Sequence, residues 1–136
     1  MSGLTNTARD AILNWVALGN SGEFLPPKNL TVGLFLEDPT PGNVGVEVST
    51  ENTGYQRMSM SFIPGLNPGS VRNGSAIIYP QATSNWGIVK FVGVFGVIDD
   101  TNVEQLLFYT NLISPTEVPV GAVTSFNPGN LEISLV

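Results

Sequence analysis

Ile88–Ile98 reads IVKFVGVFGVI, and after Asp99–Asn102 (DDTN) the chain resumes at Glu104–Asn111 as EQLLFYTN. The first run is dense in β-branched and aromatic residues, which pack well on a pleated surface. Its single charge, Lys90, suggests a central strand with one solvated position. The acidic and Asn-rich break favours a turn, so the pair reads as a hairpin. Gly93-Val94-Phe95-Gly96 lies inside the apolar strand, where glycines mark close sheet packing or a bulge rather than a phosphate loop.

The same punctuation continues outward from this hairpin. Asn29–Leu36 (NLTVGLFL) is a nearly continuous apolar run, expected of a strand covered on both faces or closed at one end by the helix. Tyr55–Ile63 alternates, with Gln56, Met58, Met60 and Phe62 on one face and Tyr55, Arg57, Ser59 and Ser61 on the other. Pro64–Gly69 (PGLNPG) is a turn cluster. Further strands are predicted at Ala76–Tyr79, Gly121–Phe126 and Asn130–Val136, with breaks at Pro115, Pro119 and Asn127–Gly129. Leu131, Ile133 and Leu135 share one face of the last strand. Turn signals every 8 to 12 residues and no alternation of strands with helices predict an all-β antiparallel sandwich or jelly roll.

One segment departs from this pattern. Ala8, Ala11, Ile12, Trp15 and Val16 recur at helical spacing, with Thr5 or Asn6 able to cap the start and Gly19 placed to end the helix. So short a helix is marginal alone in water, so it needs a surface to lie on; Trp15 is the expected anchor, on this chain's own sandwich or, alternatively, on a neighbouring subunit. The organisation expected is a helical segment over 1–22 and a sandwich over 23–136, a single structural unit overall.

Composition narrows the chemistry. With 136 residues the chain suits one domain, and hydrophobic residues at 42% suffice for one core. Charged residues are 12%, about half the usual share of roughly 25%. The 15 glycines and 10 prolines punctuate too often for long helices. Net charge is −6, and the five basic residues (Arg9, Lys28, Arg57, Arg72 and Lys90) are scattered. A phosphate backbone or an anionic membrane needs a cationic stripe, so neither nucleic acid nor membrane is an expected partner. The N-terminus lacks the basic start and apolar run of a signal peptide, and synthesis in the cytoplasm is expected.

Catalytic options are few. There is no histidine and no cysteine, which removes the usual general base, the thiol nucleophile and the commonest metal ligands. The carboxylate pairs Glu37-Asp38 and Asp99-Asp100 fall at expected turns, and neighbours in an extended chain point opposite ways. They read as solvated turn residues rather than a glycosidase pair. Asp99, Asp100 and Asn102 offer oxygen ligands, but without the spacing of a calcium loop. Trp86, Phe91, Phe95, Phe108 and Tyr109 read as core, Tyr55 as a rim contact, and Arg57 and Arg72 as interface ion-pair residues. No catalytic, cofactor-binding or metal-ligating residue is assigned; no enzyme and no cofactor are expected. What remains is a role in binding other proteins, for which the long loops Glu37–Gly54 and Pro64–Gly74 are suited.

Longer strings carry a resemblance. SGLTNTARDAILNWV, NLTVGLFLEDPTP, GVEVS, GYQRMSMSF, SNWGIVKFVGVFGVID, EQLLFYTNLISPTEVPVGAVTSF and GNLEISLV follow in that order. Together they resemble a phage family labelled "tail fiber protein", over nearly the whole chain. Trp86-Gly87, Gly93-Val94-Phe95 and the LLFYTNL segment carry most of the specificity. The resemblance implies a structural protein of the bacteriophage virion. Fibre proteins are commonly long and trimeric, with coiled-coil or β-helical shafts, whereas this chain has neither heptads nor repeats. Its size and compactness therefore point to a capsid decoration (cement) protein that bridges major capsid subunits. The alternative is a tail-fibre-associated or receptor-binding head, with tail proteins as partners. Either role implies homo-oligomers or symmetric neighbours. The helix, the Glu37–Gly54 loop and a free edge strand are the expected contacts.

Overall fold

The structure, a computed structural model, describes residues 3–17, 28–98 and 101–134. In chain order the elements are β1 (Gly3–Leu4), α1 (Asn6–Val16), β2 (Lys28–Phe35), β3 (Met58–Ser59), β4 (Phe62–Pro64), β5 (Ser70–Asn73), β6 (Ile77–Ile78), β7 (Gly87–Val97), β8 (Gln105–Val118), β9 (Ser125–Phe126) and β10 (Glu132–Ser134). A five-stranded sheet, ordered β1-β8-β7-β2-β3, forms one layer. A three-stranded sheet β10-β5-β4 and a two-stranded ribbon β6-β9 hold the other strands of the described residues. Every strand pair is antiparallel. The fold is thus an all-β sandwich with one short helix, as the sequence predicts.

The β7–β8 hairpin is its centre. Val94 pairs with Phe108 and Gly93 with Tyr109, and on the other side Val32 and Gly33 of β2 pair with Val94 and Gly93. β8 runs well past the predicted end at Asn111 and through Pro115, which was expected to break it. The register explains how. Phe91 pairs with Asn111 and Val89 with Thr116, so Lys90 alone faces residues 112–115. Proline has no N–H to give to a ladder, and inside this bulge none is asked of it.

The main core lies between the layers. Val32, Leu34, Val89, Val92 and Val118 of the large sheet meet Ile77, Tyr79, Leu131, Tyr55 and Trp86. Trp86 is 3% exposed; its indole N–H donates to the Thr53 carbonyl at 2.7 Å, and its ring meets Tyr55 edge-on at 5.4 Å. Next to it Gly87 has φ of +97°, a conformation that side chains disfavour. Trp86-Gly87 is therefore a filled core position followed by the turn that launches β7.

Two glycines flatten the opposite face of the sheet. Gly33 and Gly93 are cross-strand partners, and a Cβ on Gly93 would sit 2.5 Å from Leu106 Cδ1 and 2.7 Å from Phe35 Cε1. The missing side chains make room for Phe35 and Phe95, whose rings stack at 6.0 Å.

The helix begins where predicted. Thr5 is its N-cap, its hydroxyl accepting from the Ala8 N–H at 3.3 Å while donating to the Leu106 carbonyl at 2.6 Å. Ala8 and Ala11 pack with Leu107, Phe108 and Ile98. Trp15 is not the anchor: it is half exposed, as the helix meets the sheet through its first turns, where small alanines allow close approach. The predicted stop at Gly19 lies outside the described residues. The segment before the helix is also part of the body, since Gly3 and Leu4 pair with Tyr109 and Phe108.

Other boundaries shift. Tyr55–Ile63 is not one strand but β3 and β4, in different sheets. Its alternation holds over Met58, Met60 and Phe62, yet Tyr55, on the other face and expected at a rim, is buried. β5 lies in a stretch read as loop, and the predicted Gly121–Phe126 strand shortens to β9.

Candidate functional site

On the glycine-flattened face, a charged cluster covers the two phenylalanines. The Arg57 guanidinium stands 3.5 Å above the Phe95 ring. Its Nε and Nη2 donate to the two oxygens of Glu47 at 3.0 and 2.9 Å, and Nη1 lies 3.6 Å from Glu104. The Thr31 hydroxyl also donates to Glu104. Glu47 further accepts the Tyr55 hydroxyl proton at 2.6 Å, and that hydroxyl in turn accepts from the Leu34 N–H at 2.9 Å. A bidentate Arg–carboxylate pair over an aromatic face is stronger than a simple surface ion pair. It pins the segment around Glu47 onto β2 and the start of β8. That segment also closes β2's edge, with Val48 N donating to Leu34 O at 2.9 Å and Leu36 N to Val46 O at 2.7 Å.

Tyr55 and Tyr79 both titrate far above the ordinary tyrosine range. Burial is the main cause for each, and the Glu47 carboxylate adds to it. The folded state therefore holds these protons while the unfolded chain releases them near pH 10. Stability is fully present below that pH and is lost as pH rises above it. We expect a decline of about 1.4 kcal/mol per pH unit for each tyrosine. Urea melts between pH 8 and 11.5 read this directly, and Tyr79→Phe should remove one tyrosine's share of the slope. An unchanged slope in that variant would contradict the assignment.

The second feature is a groove of about 810 Å³ between the β7–β8 hairpin and the chain around 122–132. It has an apolar floor and a rim of threonine, serine, asparagine and glutamate. A smaller hollow of about 190 Å³ lies where the helix start, the turn around Pro41 and Glu104 meet, closed by Asn6 N donating to Pro41 O at 2.8 Å. The structure thus brings together two of the three predicted contact elements, the helix and the Glu37–Gly54 loop. Val44 is 74% exposed on that loop, and Leu13, Trp15 and Val16 are exposed on the helix.

The individually named residues divide cleanly. Trp86, Phe95 and Tyr109 are core, with Phe91 and Phe108 partly buried. Tyr55, expected at the rim, is buried at 3% exposure, because its hydroxyl substitutes for a strand partner at Leu34. Arg57 makes its ion pairs within the chain. Asp38 accepts from the Thr40 N–H at 2.9 Å, a turn role as read from the sequence. Asp99 and Asp100 lie outside the described residues. Among the described residues no three carboxylates converge as a metal site would require, and no helix is long and apolar enough to cross a membrane. The sequence reading missed the Glu47–Arg57–Glu104 cluster. Its partners are 10 and 47 residues apart, and only the fold brings them together.

Residues 3–134 match the protein family described as Podophage GP4 fiber I protein gp80. The chain belongs to this family. It is a phage virion structural protein, and the expected resemblance to a fibre-labelled phage family holds over nearly its full length. A search of curated proteins returned no match.

Proposed function

We propose that this member of the gp80 fibre family is a non-catalytic component of the phage tail-fibre apparatus, acting through protein contacts. The observation that carries this reading is the family match over residues 3–134, whose description names a fibre protein. It favours the tail alternative over the capsid-cement role that size alone suggested. The chain's repertoire supports the absence of catalysis: it has no histidine or cysteine, and Asp38, one of the paired carboxylates, serves a turn. Its partners are then neighbouring tail proteins and further copies of itself, arranged by the symmetry of the tail.

Localisation on purified virions tests this. Antibody-gold label on tail appendages, with a dozen or so copies per particle, is the expected result. Label distributed over the head at hundreds of copies would overturn the tail placement and restore the cement reading. Release of reducing sugar from host polysaccharide by the purified chain would overturn the non-catalytic part.

A further inference from the structure

The outer face of the three-stranded sheet carries one row of large side chains. Ile63 of β4 and Glu132 of β10 both pair with Arg72 of β5, and directly opposite residues project from the same face of a sheet. Their chain neighbours Asn73 and Leu131 point the other way and are buried. The row therefore faces outward, with Ile63 41% exposed and Glu132 exposed. Two glycines leave bare backbone beneath it. A Cβ on Gly74 would stand 2.9 Å from Ile63 Cγ2, and one on Gly129 would stand 3.4 Å from Arg72 Nη1. The Arg72 side chain thus lies over Gly129, and among the described residues no ion pair joins it to Glu132.

Of the two arginines read from the sequence as interface ion-pair residues, Arg57 is taken up within the chain. Arg72 is not. Its Nε is the one buried side-chain nitrogen or oxygen without a hydrogen-bond partner among the described residues. Neither Arg72 nor Glu132 makes a side-chain hydrogen bond or ion pair among the described residues. A guanidinium offers five donors, and shielding it from water with none in use is costly. A carboxylate from outside the chain is the acceptor that matches it.

We propose that this face is a self-complementary interface, on which Arg72 and Glu132 of one copy pair with Glu132 and Arg72 of a second copy about a two-fold axis. An isologous contact needs a patch that is its own complement. One cation and one anion on neighbouring strands meet that need, with the axis running along the strands between β5 and β10. The chain carries −6 overall, so copies repel elsewhere; on this row, with one charge of each sign, attraction replaces repulsion. Side chains laid over glycine backbone let two such faces approach closely. Three short strands cover much less area than a tight dimer buries, so the contact is weak in solution and gains strength where a virion holds copies side by side. The proposal gives the face for the contact between copies and rests on the reading above in that respect alone.

Diffusion NMR of the full chain should show its hydrodynamic radius rising toward that of a dimer by about 1 mM. Arg72→Glu and Glu132→Arg each set like charges against one another twice, so either change alone should weaken association by about tenfold or more. An equimolar mixture of the two variants restores both pairs and should recover the parent's association, as should the chain carrying both changes. Glu132 is exposed, so Glu132→Arg and the parent remain informative even if Arg72→Glu fails to fold. A parent chain still monomeric at about 1 mM, association untouched by Glu132→Arg, or no recovery in the chain carrying both changes would overturn the proposal. Because the readout is in solution, its failure leaves the tail placement to be judged by label on virions.

Discussion

Trp86→Ala should remove about 4–5 kcal/mol of stability, most of what a domain of this size possesses. Three losses combine. The indole fills the centre of the main core, at 3% exposure, so its removal forfeits both burial and the packing around the cavity left behind. Its edge contacts with Tyr55 at 5.4 Å and Tyr79 at 6.4 Å disappear. The Thr53 carbonyl, which accepts the indole N–H at 2.7 Å, loses its side-chain partner. Trp86→Phe keeps a ring and should cost less, about 2 kcal/mol, chiefly from the lost hydrogen bond and volume. Urea denaturation followed by circular dichroism measures both. Fluorescence adds an independent check, because the only other tryptophan, Trp15, is half exposed. The blue-shifted share of the native emission belongs to Trp86. A loss under about 1 kcal/mol for Trp86→Ala would mean that the ring is not the keystone of this core.

Trp86 also shows what sequence could reveal. An apolar run bounded by Trp-Gly on one side and an acidic turn on the other reads as a strand, and it became β7. Local pattern sufficed there because burial on both faces leaves a continuous apolar signal. The N-cap at Thr5 was equally legible, since capping is decided within four residues. What escaped were features set by distant partners. β5 reads SVRN, a polar string between turns, and becomes a strand because β4 and β10 flank it. Tyr55 read as a rim contact, but on its β3 side β2 beyond Val32 has no regular strand partner among the described residues, and the tyrosine hydroxyl accepts the Leu34 N–H there. Trp15 looked like an anchor by size, whereas close helix–sheet approach selected Ala8. The functional surfaces were the least legible. The groove exists only because 122–132 folds back over β7 and β8, and neither segment alone carries a sign of it.

Asn73→Leu should cost about 2–4 kcal/mol and, unlike the tryptophan change, should act on the groove. Asn73 is 1% exposed. Its side-chain oxygen accepts from Leu131 N at 2.9 Å, and its amide nitrogen donates to Ser75 O at 2.8 Å and Asn127 O at 3.1 Å. Its own backbone donates to Leu131 O at 3.1 Å and accepts from Gly129 N at 2.9 Å. One residue thus holds the 127–131 turn at both ends. Leucine matches the volume but leaves the buried Leu131 N–H without its acceptor, worth about 1–3 kcal/mol, and removes one donor each from the carbonyls of exposed Ser75 and Asn127, the latter keeping the Asn130 N–H at 3.0 Å. Asn73→Asp is the sharper control: it preserves the acceptor for Leu131 and loses both donors, placing an anion against two carbonyls. Asn73→Leu should speed amide exchange at Leu131 before global unfolding, since its N–H donates to the Asn73 side chain, whereas Asn73→Asp keeps that acceptor and should speed it less. Residues 130–132 form one wall of the groove, so a loosened turn should open that wall in protein that is still folded. Leu131 exchange in Asn73→Leu no faster than in the parent chain would mean that Asn73 does not hold this turn.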